Sequence, residues 1–198
     1  MNLIFKFIRL VGLILIYSFF EYGEFMMIYG YIATTIDGYI ADEQGNIDFL
    51  NDFQTIDCGY DHSIEKIDTI VMGRKTYEAI CAFGIDWPYP NQKTWIITSQ
   101  ADLKMTDANI EIWQGDLSTL MSSIQFEQDK NCWILGGGEL ISSIIALGYM
   151  DQLEVYITPV LLGSGIPLFT QQNYSSIQIQ KVESNLIGNT ITQQIYTF

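Results

Sequence analysis

Histidine and cysteine are scarce in this chain, which has one histidine, His62, among 198 residues. Its three cysteines, Cys58, Cys81 and Cys132, have no CxxC spacing and make an odd number, so we expect reduced thiols in a cytosolic protein. A zinc deaminase site needs a His/Cys/Cys ligand set, and a serine hydrolase triad needs a positioned histidine. The composition therefore disfavours both sites, and we expect no metal centre and a surface position for His62.

Basic residues are also few. Lys and Arg number 9 against 23 Asp and Glu, which gives a formal net charge of −14. This charge repels phosphate backbones, so nucleic acids and anionic membranes are disfavoured as partners. A local basic pocket for a small anion is still compatible with it. Apolar residues make up 48% of the chain, which disfavours disorder and, at this length, favours one domain with a substantial core.

The first 25 residues differ in composition from the rest. Two basic residues precede an apolar run over residues 10–20, as in a signal peptide, but no small-residue cleavage site follows. The run is shorter than the roughly 20 residues that span a bilayer. Three interpretations stay open: a leader upstream of a start at Met26 or Met27, which we favour, a membrane anchor, or an additional packed helix. The predicted organisation is this extension, residues 1–25, and one domain, residues 26–198.

Beyond the extension, short apolar runs alternate with segments of helical spacing. The runs "DTIVMG", "KTWIITS" and "NCWILGG" have the length and composition of buried strands. The segments "RKTYEAICAF", "DLSTLMSSIQF" and "ELISSIIALG" have helical spacing. The C-terminal "IQIQKVESNLIGNTITQQIYTF" alternates as an antiparallel hairpin does. The pattern predicts an α/β fold in which helices flank a mostly parallel sheet and a C-terminal hairpin adds antiparallel strands at one edge.

Three predicted strands end in residues suited to binding a phosphate. Gly73, Arg74 and Thr76 follow "TIVM", three glycines at 136–138 follow "CWIL", and Ser99 lies just after "TWII". In an open α/β sheet, ligands bind beyond the carboxyl ends of the strands. A helix N-terminus there offers unpaired N–H groups, and glycine lets a phosphate approach the backbone. Two such junctions on neighbouring strands are predicted to bind a pyrophosphate, with Arg74 contributing a charge and Thr76 a hydroxyl.

The glycine spacing alone leaves the kind of site open. "GGGELI" lacks the last glycine of a dinucleotide-binding fingerprint, because Ile141 occupies that position, and no GK[ST] follows for a P-loop. Glu139 favours the helix dipole but mildly opposes a phosphate at the same end. Tight-turn geometry without a ligand is the alternative interpretation of each junction taken separately.

Several motifs, taken in order, resemble the dihydrofolate reductase superfamily: "IVMGRKTYE", "YPNQKTWIITSQ" and "WILGGGELI". The segments "YIATTIDGYIA" and "VYITPVLLGSGIPLF" are more similar to the reductase domain of the riboflavin-biosynthesis deaminase-reductase and its stand-alone bacterial relatives. The resemblance covers about residues 27–198. It implies a dihydrofolate reductase-like fold, an NADPH-dependent reductase and, as is common among relatives, a homodimer.

The resemblance also implies which residues contact NADPH. In the family pattern, Thr98 and Ser99 hold the adenosine end with its 2′-phosphate, and the glycines pass around the pyrophosphate and nicotinamide. The implied cofactor-binding residues are Ala33, Gly73, Arg74, Thr76, Thr98, Ser99, Gly136, Gly137, Gly138, Glu139 and Leu140. The implied substrate is a small pteridine- or pyrimidine-like molecule, such as 5-amino-6-(5-phosphoribosylamino)uracil of the riboflavin pathway. Tyr39 departs from the pattern, since the pathway domain usually has a lysine there.

Hydride transfer needs the cofactor and substrate within about 3–3.5 Å and a site that excludes water, and a proton donor can assist. The candidate acids are Asp37, after the first strand, and Asp48 and Asp52 in "GNIDFLND". Each can equally be a turn or cap aspartate, and the resemblance does not choose between Asp48 and Asp52. Two other functions stay open: a nucleotide-binding module without turnover, and dihydrofolate reduction proper.

Overall fold

The computed structural model describes residues 26–58, 64–100, 102–127, 130–172 and 176–198. The extension 1–25 and His62 lie outside the described residues, so the predictions made for them stay predictions. Within the described part of the chain, no helix has the length and apolar character required to cross a membrane.

The predicted alternation of strands and helices is confirmed. The strands found in the described residues are β1 Ile28–Thr35, β2 Tyr39–Ala41, β3 Ile67–Gly73, β4 Lys93–Ile97, β5 Ile110–Trp113, β6 Asn131–Gly136, β7 Gln152–Thr158, β8 Ile166–Pro167, β9 Lys181–Ile187 and β10 Ile191–Thr197. The α-helices of the same residues are α1 Arg74–Ala82, α2 Leu117–Phe126 and α3 Gly138–Ala146, and a 3-10 helix spans Asp48–Phe53.

Eight strands form one sheet in the order β5-β4-β3-β6-β1-β7-β10-β9. The six strands from β5 to β7 are parallel to one another, whereas β10 is antiparallel to both β7 and β9. The predicted parallel sheet with an antiparallel hairpin at one edge is therefore confirmed. The strands β1, β3, β4, β5 and β6 are parallel, so their carboxyl ends lie together. The residues that follow them form what we call the carboxyl edge, which is the line of strand ends and not an edge strand.

Helices cover the two faces of the sheet unequally. On the first face, Ile28, Val71 and Ile134 are fully buried and pack in one cluster with side chains of α2 and α3, such as Met121 and Ile144. Burying an aliphatic side chain of this size contributes about 1.5–3 kcal/mol relative to leaving it exposed.

On the second face, α1 packs over β3 and β4, with Tyr77 in a cluster with Ile70, Met72 and Ile96. Farther along this face, the side chains of β1 and β7 are more polar: Tyr31 lies beside Glu154, and Ala33 beside Tyr156. The second face of the sheet thus carries polar groups along the middle of β1 and β7.

Candidate functional site

The β3–α1 and β6–α3 junctions face each other at the carboxyl edge. Met72 of β3 pairs with Gly136 of β6. A Cβ added to Gly73 would lie 3.8 Å from the Gly136 carbonyl oxygen and 4.0 Å from the Gly137 nitrogen. A Cβ added to Gly137 would lie 3.7 Å from the Thr76 Oγ1. The structure therefore brings the two predicted junctions, with Thr76, into one cradle.

The helices that begin at this cradle have no side-chain cap. Gly73 is the N-cap residue of α1 and Gly137 that of α3, and neither helix has a side-chain cap hydrogen bond. The first N–H groups of a helix have no partner within the helix, so they need water, a side chain or a ligand. Together with the helix dipoles, these amides make the cradle a favourable environment for an anion.

The three consecutive glycines are required for different reasons. Gly136 has a φ of 126°, so its conformation requires glycine. A Cβ on Gly138 would overlap the Pro167 carbonyl oxygen and lie 2.7 Å from that of Leu168. Glycine is therefore required at 138 because the chain packs closely against the backbone at β8. Gly137 has an ordinary φ of −75° and only normal contacts. Neither its conformation nor its packing therefore requires glycine at 137, and the absence of a side chain there is compatible with the close approach of a ligand.

Arg74 is the cation nearest the start of α1 in sequence, and it is paired. Its Nη1 donates to Glu78 Oε1 at 2.5 Å, and the two side chains are 31% and 46% exposed. Exposed pairs of this kind contribute about 0–1 kcal/mol. An anion bound in the cradle can therefore compete with Glu78 for the guanidinium group.

The end of β4 forms the outer part of the carboxyl edge. The Thr98 backbone N–H donates to the Trp113 carbonyl oxygen at 3.1 Å, and the Ser99 carbonyl oxygen accepts from Gln114 Nε2 at 3.1 Å. These bonds tie the loop after β4 to the end of β5. Ser99 is exposed and Thr98 is half-buried, so Ser99 is the more accessible of the two to a ligand.

The other residues implied as cofactor contacts have different surroundings. Leu140 is 8% exposed and belongs to the core of the first face, while Glu139 is exposed in the first turn of α3. Ala33 is half-buried near the end of β1, which pairs with β6. Its side chain lies on the second face, beside Tyr156.

Asp37 is held by hydrogen bonds from the protein itself. Its carboxylate accepts from Thr35 Oγ1 at 2.6 Å, from the Gly163 backbone N–H at 2.7 Å and from the Leu162 backbone N–H at 3.3 Å. These bonds, foremost that from Thr35, lower the pKa of Asp37 below its usual 3.8. Asp37 thus joins the loop at 161–165 to the end of β1, and an ionised carboxylate donates no proton at neutral pH.

The other two candidate acids lie on the 3-10 helix. Asp48 and Asp52 are both exposed, and Asp48 Oδ1 accepts from Asn51 Nδ2 at 3.5 Å. A cavity of about 230 Å³ lies on the second face of the sheet, lined by Tyr31 and Glu154 among others, and neither Asp48 nor Asp52 lines it.

Sequence reasoning missed a carboxylate on that face, Glu154. Its Oε2 accepts from the Tyr156 hydroxyl at 2.9 Å and from Gln193 Nε2 at 3.0 Å, and its Oε1 accepts from Gln152 Nε2 at 3.2 Å. The available signal was the alternation of polar residues in "QLEVYIT", which places Gln152, Glu154 and Tyr156 on one face. In the sequence alone, that pattern equally fits a strand with a solvated face.

Two phenols accompany this carboxylate. Burial, the largest influence on both, raises the pKa of Tyr31 to about 12 and raises the pKa of Tyr156 as well. Their rings lie 4.6 Å apart, and their hydroxyls lie 3.3 and 3.1 Å from the Cys58 carbonyl oxygen. Both phenols therefore stay protonated at neutral pH and act as hydrogen-bond donors.

Solved structures share this fold. A protein from Shewanella sp. PV-4, named for riboflavin biosynthesis, matches with a TM-score of 0.75 and 27% identity over 87% of this chain and 98% of that one. The dihydrofolate reductase of Enterococcus faecalis, complexed with NADP(H), matches with a TM-score of 0.59 over 88% of this chain and 98% of that one. Its 17% identity shows the fold alone. The class is thus the dihydrofolate reductase-like fold.

The family follows from sequence. Residues 88–193 match the RibD C-terminal domain, and the chain belongs to this family. It is also 34% identical over 140 residues to the uncharacterized protein YwjB of Bacillus subtilis (strain 168), a match that covers 70% of this chain and 80% of that protein. Family and fold support a reductase-like role.

Proposed function

We propose that the protein is an NADPH-dependent reductase that transfers hydride to a small pteridine- or pyrimidine-like substrate. The observation that carries this proposal is the cradle: two helix N-termini without side-chain caps, on neighbouring strands, around Gly73, Thr76 and Gly137. The diphosphate of a dinucleotide is the anion that suits two such N-termini at once. The Enterococcus faecalis enzyme of the same fold is complexed with NADP(H).

The residues present fit this cofactor. A Cβ at Gly73 would enter the space between the two junctions, which is the space that a diphosphate would need. The amides at the starts of α1 and α3 would bind the diphosphate, and the Thr76 hydroxyl would donate a hydrogen bond to it. The Arg74 side chain would leave Glu78 and contact the 2′-phosphate. When bound, NADPH supplies the hydride; the protein orients it and excludes water.

The remaining assignments follow the geometry of the edge. Thr98 and Ser99 would hold the adenosine end, and Ala33 would border the nicotinamide on the second face of the sheet. We assign Asp37 to ordering the loop at 161–165, because its carboxylate is ionised and bonded to that loop. A proton-transfer role for Asp48 or Asp52 stays a prediction, as do the homodimer and the cytosolic location.

The first experiment is an NADPH titration followed by nicotinamide fluorescence and by thermal stability. Saturable binding that raises the melting temperature is expected. Arg74→Ala should weaken NADPH binding by about tenfold, the effect of losing one charge-assisted contact. The affinity for NADH should change little. The matched control is Lys130→Ala, which also removes an exposed cation from a local pair, with Glu127 at 3.1 Å, but at the opposite end of β6.

Absence of any saturable NADPH binding would overturn the proposal. Equal losses of affinity for NADPH and NADH in Arg74→Ala would instead indicate that another residue contacts the 2′-phosphate. Steady consumption of NADPH with a pteridine or pyrimidine substrate separates a reductase from a nucleotide-binding module without turnover.

A further inference from the structure

The loop at 161–165 connects the region at the end of β1 to the cradle. Before the loop, the Val160 carbonyl oxygen accepts from the Ile36 backbone N–H at 3.0 Å. After the loop, the backbone at β8 packs against Gly138 at the start of α3. The proposed function puts the nicotinamide beside Ala33 of β1, so the substrate would lie close to this loop.

The backbone N–H groups of this loop already bind an anion. Successive backbone N–H groups of a turn can form an anion-binding site. Here the N–H groups of Leu162 and Gly163 donate to the Asp37 carboxylate at 3.3 and 2.7 Å, and Thr35 Oγ1 donates to it at 2.6 Å. These bonds, foremost that from Thr35, hold the pKa of Asp37 below 3.8, so it is charged at neutral pH. The amides that could receive a phosphate group of the substrate are therefore occupied by the protein's own carboxylate.

The positive charges of the domain lie elsewhere. Two of the nine Lys and Arg residues precede residue 26, which leaves seven. Four of the seven lie at the amino ends of strands: Lys66, Lys93, Lys130 and Lys181. The other three lie in α1 or in the loop after β4: Arg74, Lys75 and Lys104. Lysine and arginine are the side chains that best bind a phosphate group, and at the carboxyl edge they are confined to the part proposed to hold the cofactor.

Negative charge follows the end of β1 instead. Residues 36–58 include six acidic residues and no Lys or Arg, the acids being Asp37, Asp42, Glu43, Asp48, Asp52 and Asp57. This stretch reaches the second face of the sheet, where the Cys58 carbonyl oxygen accepts from the Tyr156 hydroxyl at 3.1 Å. A phosphate group bound here would lose water and meet like charges. The electrostatics therefore favour a substrate without a phosphate group.

Exposed apolar side chains occur at the same place. Ile36 is 61% exposed and Leu161 is 71% exposed, and the hydrogen bond between Ile36 and Val160 brings their chain segments together. Exposed apolar groups that lie together often mark a binding surface, and ligand sites are lined mainly by apolar side chains. An uncharged ring compound suits these surroundings better than a phosphorylated one.

We propose that the substrate is an uncharged ring compound without a phosphate group, and that Asp37 enforces this specificity by occupying the amides of the loop at 161–165. The inference rests on the proposed function in one respect, which is that the substrate lies beside the nicotinamide, near the carboxyl ends of β1 and β7. Asp37 then acts by its charge as well as by ordering the loop.

The test compares 5-amino-6-(5-phosphoribosylamino)uracil with its dephosphorylated form, 5-amino-6-ribosylaminouracil. Isothermal titration calorimetry measures the binding of each to the protein alone and to the protein with NADP⁺. The wild type should bind the dephosphorylated compound at least about tenfold more tightly. Asp37→Asn keeps an oxygen acceptor for the amides but removes the charge. Its affinity for the phosphorylated compound should rise by about threefold or more, and its affinity for the dephosphorylated compound should stay the same.

The matched control is Asp116→Asn, which also removes the charge of a carboxylate bonded to a backbone N–H, that of Thr119 at 3.0 Å, but between β5 and α2. It should leave both affinities unchanged. Equal or tighter binding of the phosphorylated compound by the wild type, or no binding of either compound, would overturn the inference. An affinity for the phosphorylated compound that Asp37→Asn does not raise would overturn it as well.

If Asp37→Asn does not fold, the preference of the wild type decides. NADPH binding is measured in a separate titration. A protein that binds NADPH and prefers the phosphorylated compound refutes this inference alone. A protein that prefers the dephosphorylated compound but does not bind NADPH refutes the proposed function alone.

Discussion

Helices α1, α2 and α3 all begin at the carboxyl edge, yet their first turns are completed differently. The N-cap of α2 is Asp116, whose carboxylate accepts from the Thr119 backbone N–H at 3.0 Å. The N-caps of α1 and α3 are Gly73 and Gly137, without any side-chain cap bond. At α2 the protein therefore supplies its own anion. It leaves the amides available at the two junctions that face each other.

The largest effect on stability is expected for Gly138→Ala. A Cβ there would overlap the Pro167 carbonyl oxygen and crowd that of Leu168, and a backbone cannot move aside as a flexible side chain can. The free energy of unfolding should fall by about 3 kcal/mol, the upper part of the usual range for overpacking, as measured by urea denaturation. A loss below about 1 kcal/mol would show that α3 and β8 are less tightly packed than described.

Gly137→Asp is expected to make the start of α3 resemble that of α2. The φ of −75° at Gly137 and the nearest contacts of 3.7 Å permit a side chain. The new carboxylate would cap the helix and repel a diphosphate. NADPH affinity should fall by about a hundredfold, close to 2.7 kcal/mol, while stability changes by only a few tenths of a kcal/mol.

Gly137→Ala is the control for Gly137→Asp, because it adds the Cβ without the charge. It should weaken NADPH less than Gly137→Asp does, by steric hindrance alone. Unchanged NADPH affinity in Gly137→Asp, as measured by nicotinamide fluorescence, would show that the diphosphate does not bind at the cradle.

A smaller effect is expected for Asp116→Asn, which keeps a good N-cap residue but removes its charge. Hydrogen bonds, first from the Ser118 hydroxyl and then from the Thr119 backbone N–H, lower the pKa of Asp116 below its usual 3.8. A carboxylate whose pKa is lower in the folded state adds stability above its unfolded pKa, and this is lost as the pH falls through the folded value.

The wild type should therefore exceed Asp116→Asn in stability by a constant margin above about pH 5, and the margin should shrink below pH 4. Urea denaturation at several pH values measures it. A margin that does not change with pH would mean that the charge of Asp116 does not contribute to the cap. NADPH affinity should be the same in both proteins.

Much of the fold was predictable from sequence, because continuous apolar strands and helical spacing are local signals. The approach of Gly73 to Gly137 was also predictable, because parallel strands bring their carboxyl ends to one edge. The separate reasons for the three glycines were not predictable. Gly138 meets the backbone at Pro167, about thirty residues downstream, and no local pattern reveals that contact.

The surroundings of the acidic residues could not be predicted from the sequence for the same reason, because their contacts come from distant parts of the chain. Asp37 was selected because it follows the first strand, but its hydrogen bonds to Gly163 depend on how a distant loop folds back. Glu154 was missed because its neighbour Tyr31 lies on β1 and its hydrogen-bond partner Gln193 lies on β10, and no local pattern shows that these strands flank β7.

Amide hydrogen exchange with and without NADPH tests the central claim most directly. If the diphosphate lies in the cradle, NADPH should slow exchange at the first turns of α1 and α3, residues 73–76 and 137–140. The first turn of α2, residues 117–119, should exchange equally in both states, because Asp116 already completes it. Equal protection of all three helix starts, or none at α1 and α3 when NADPH is bound, would contradict the account.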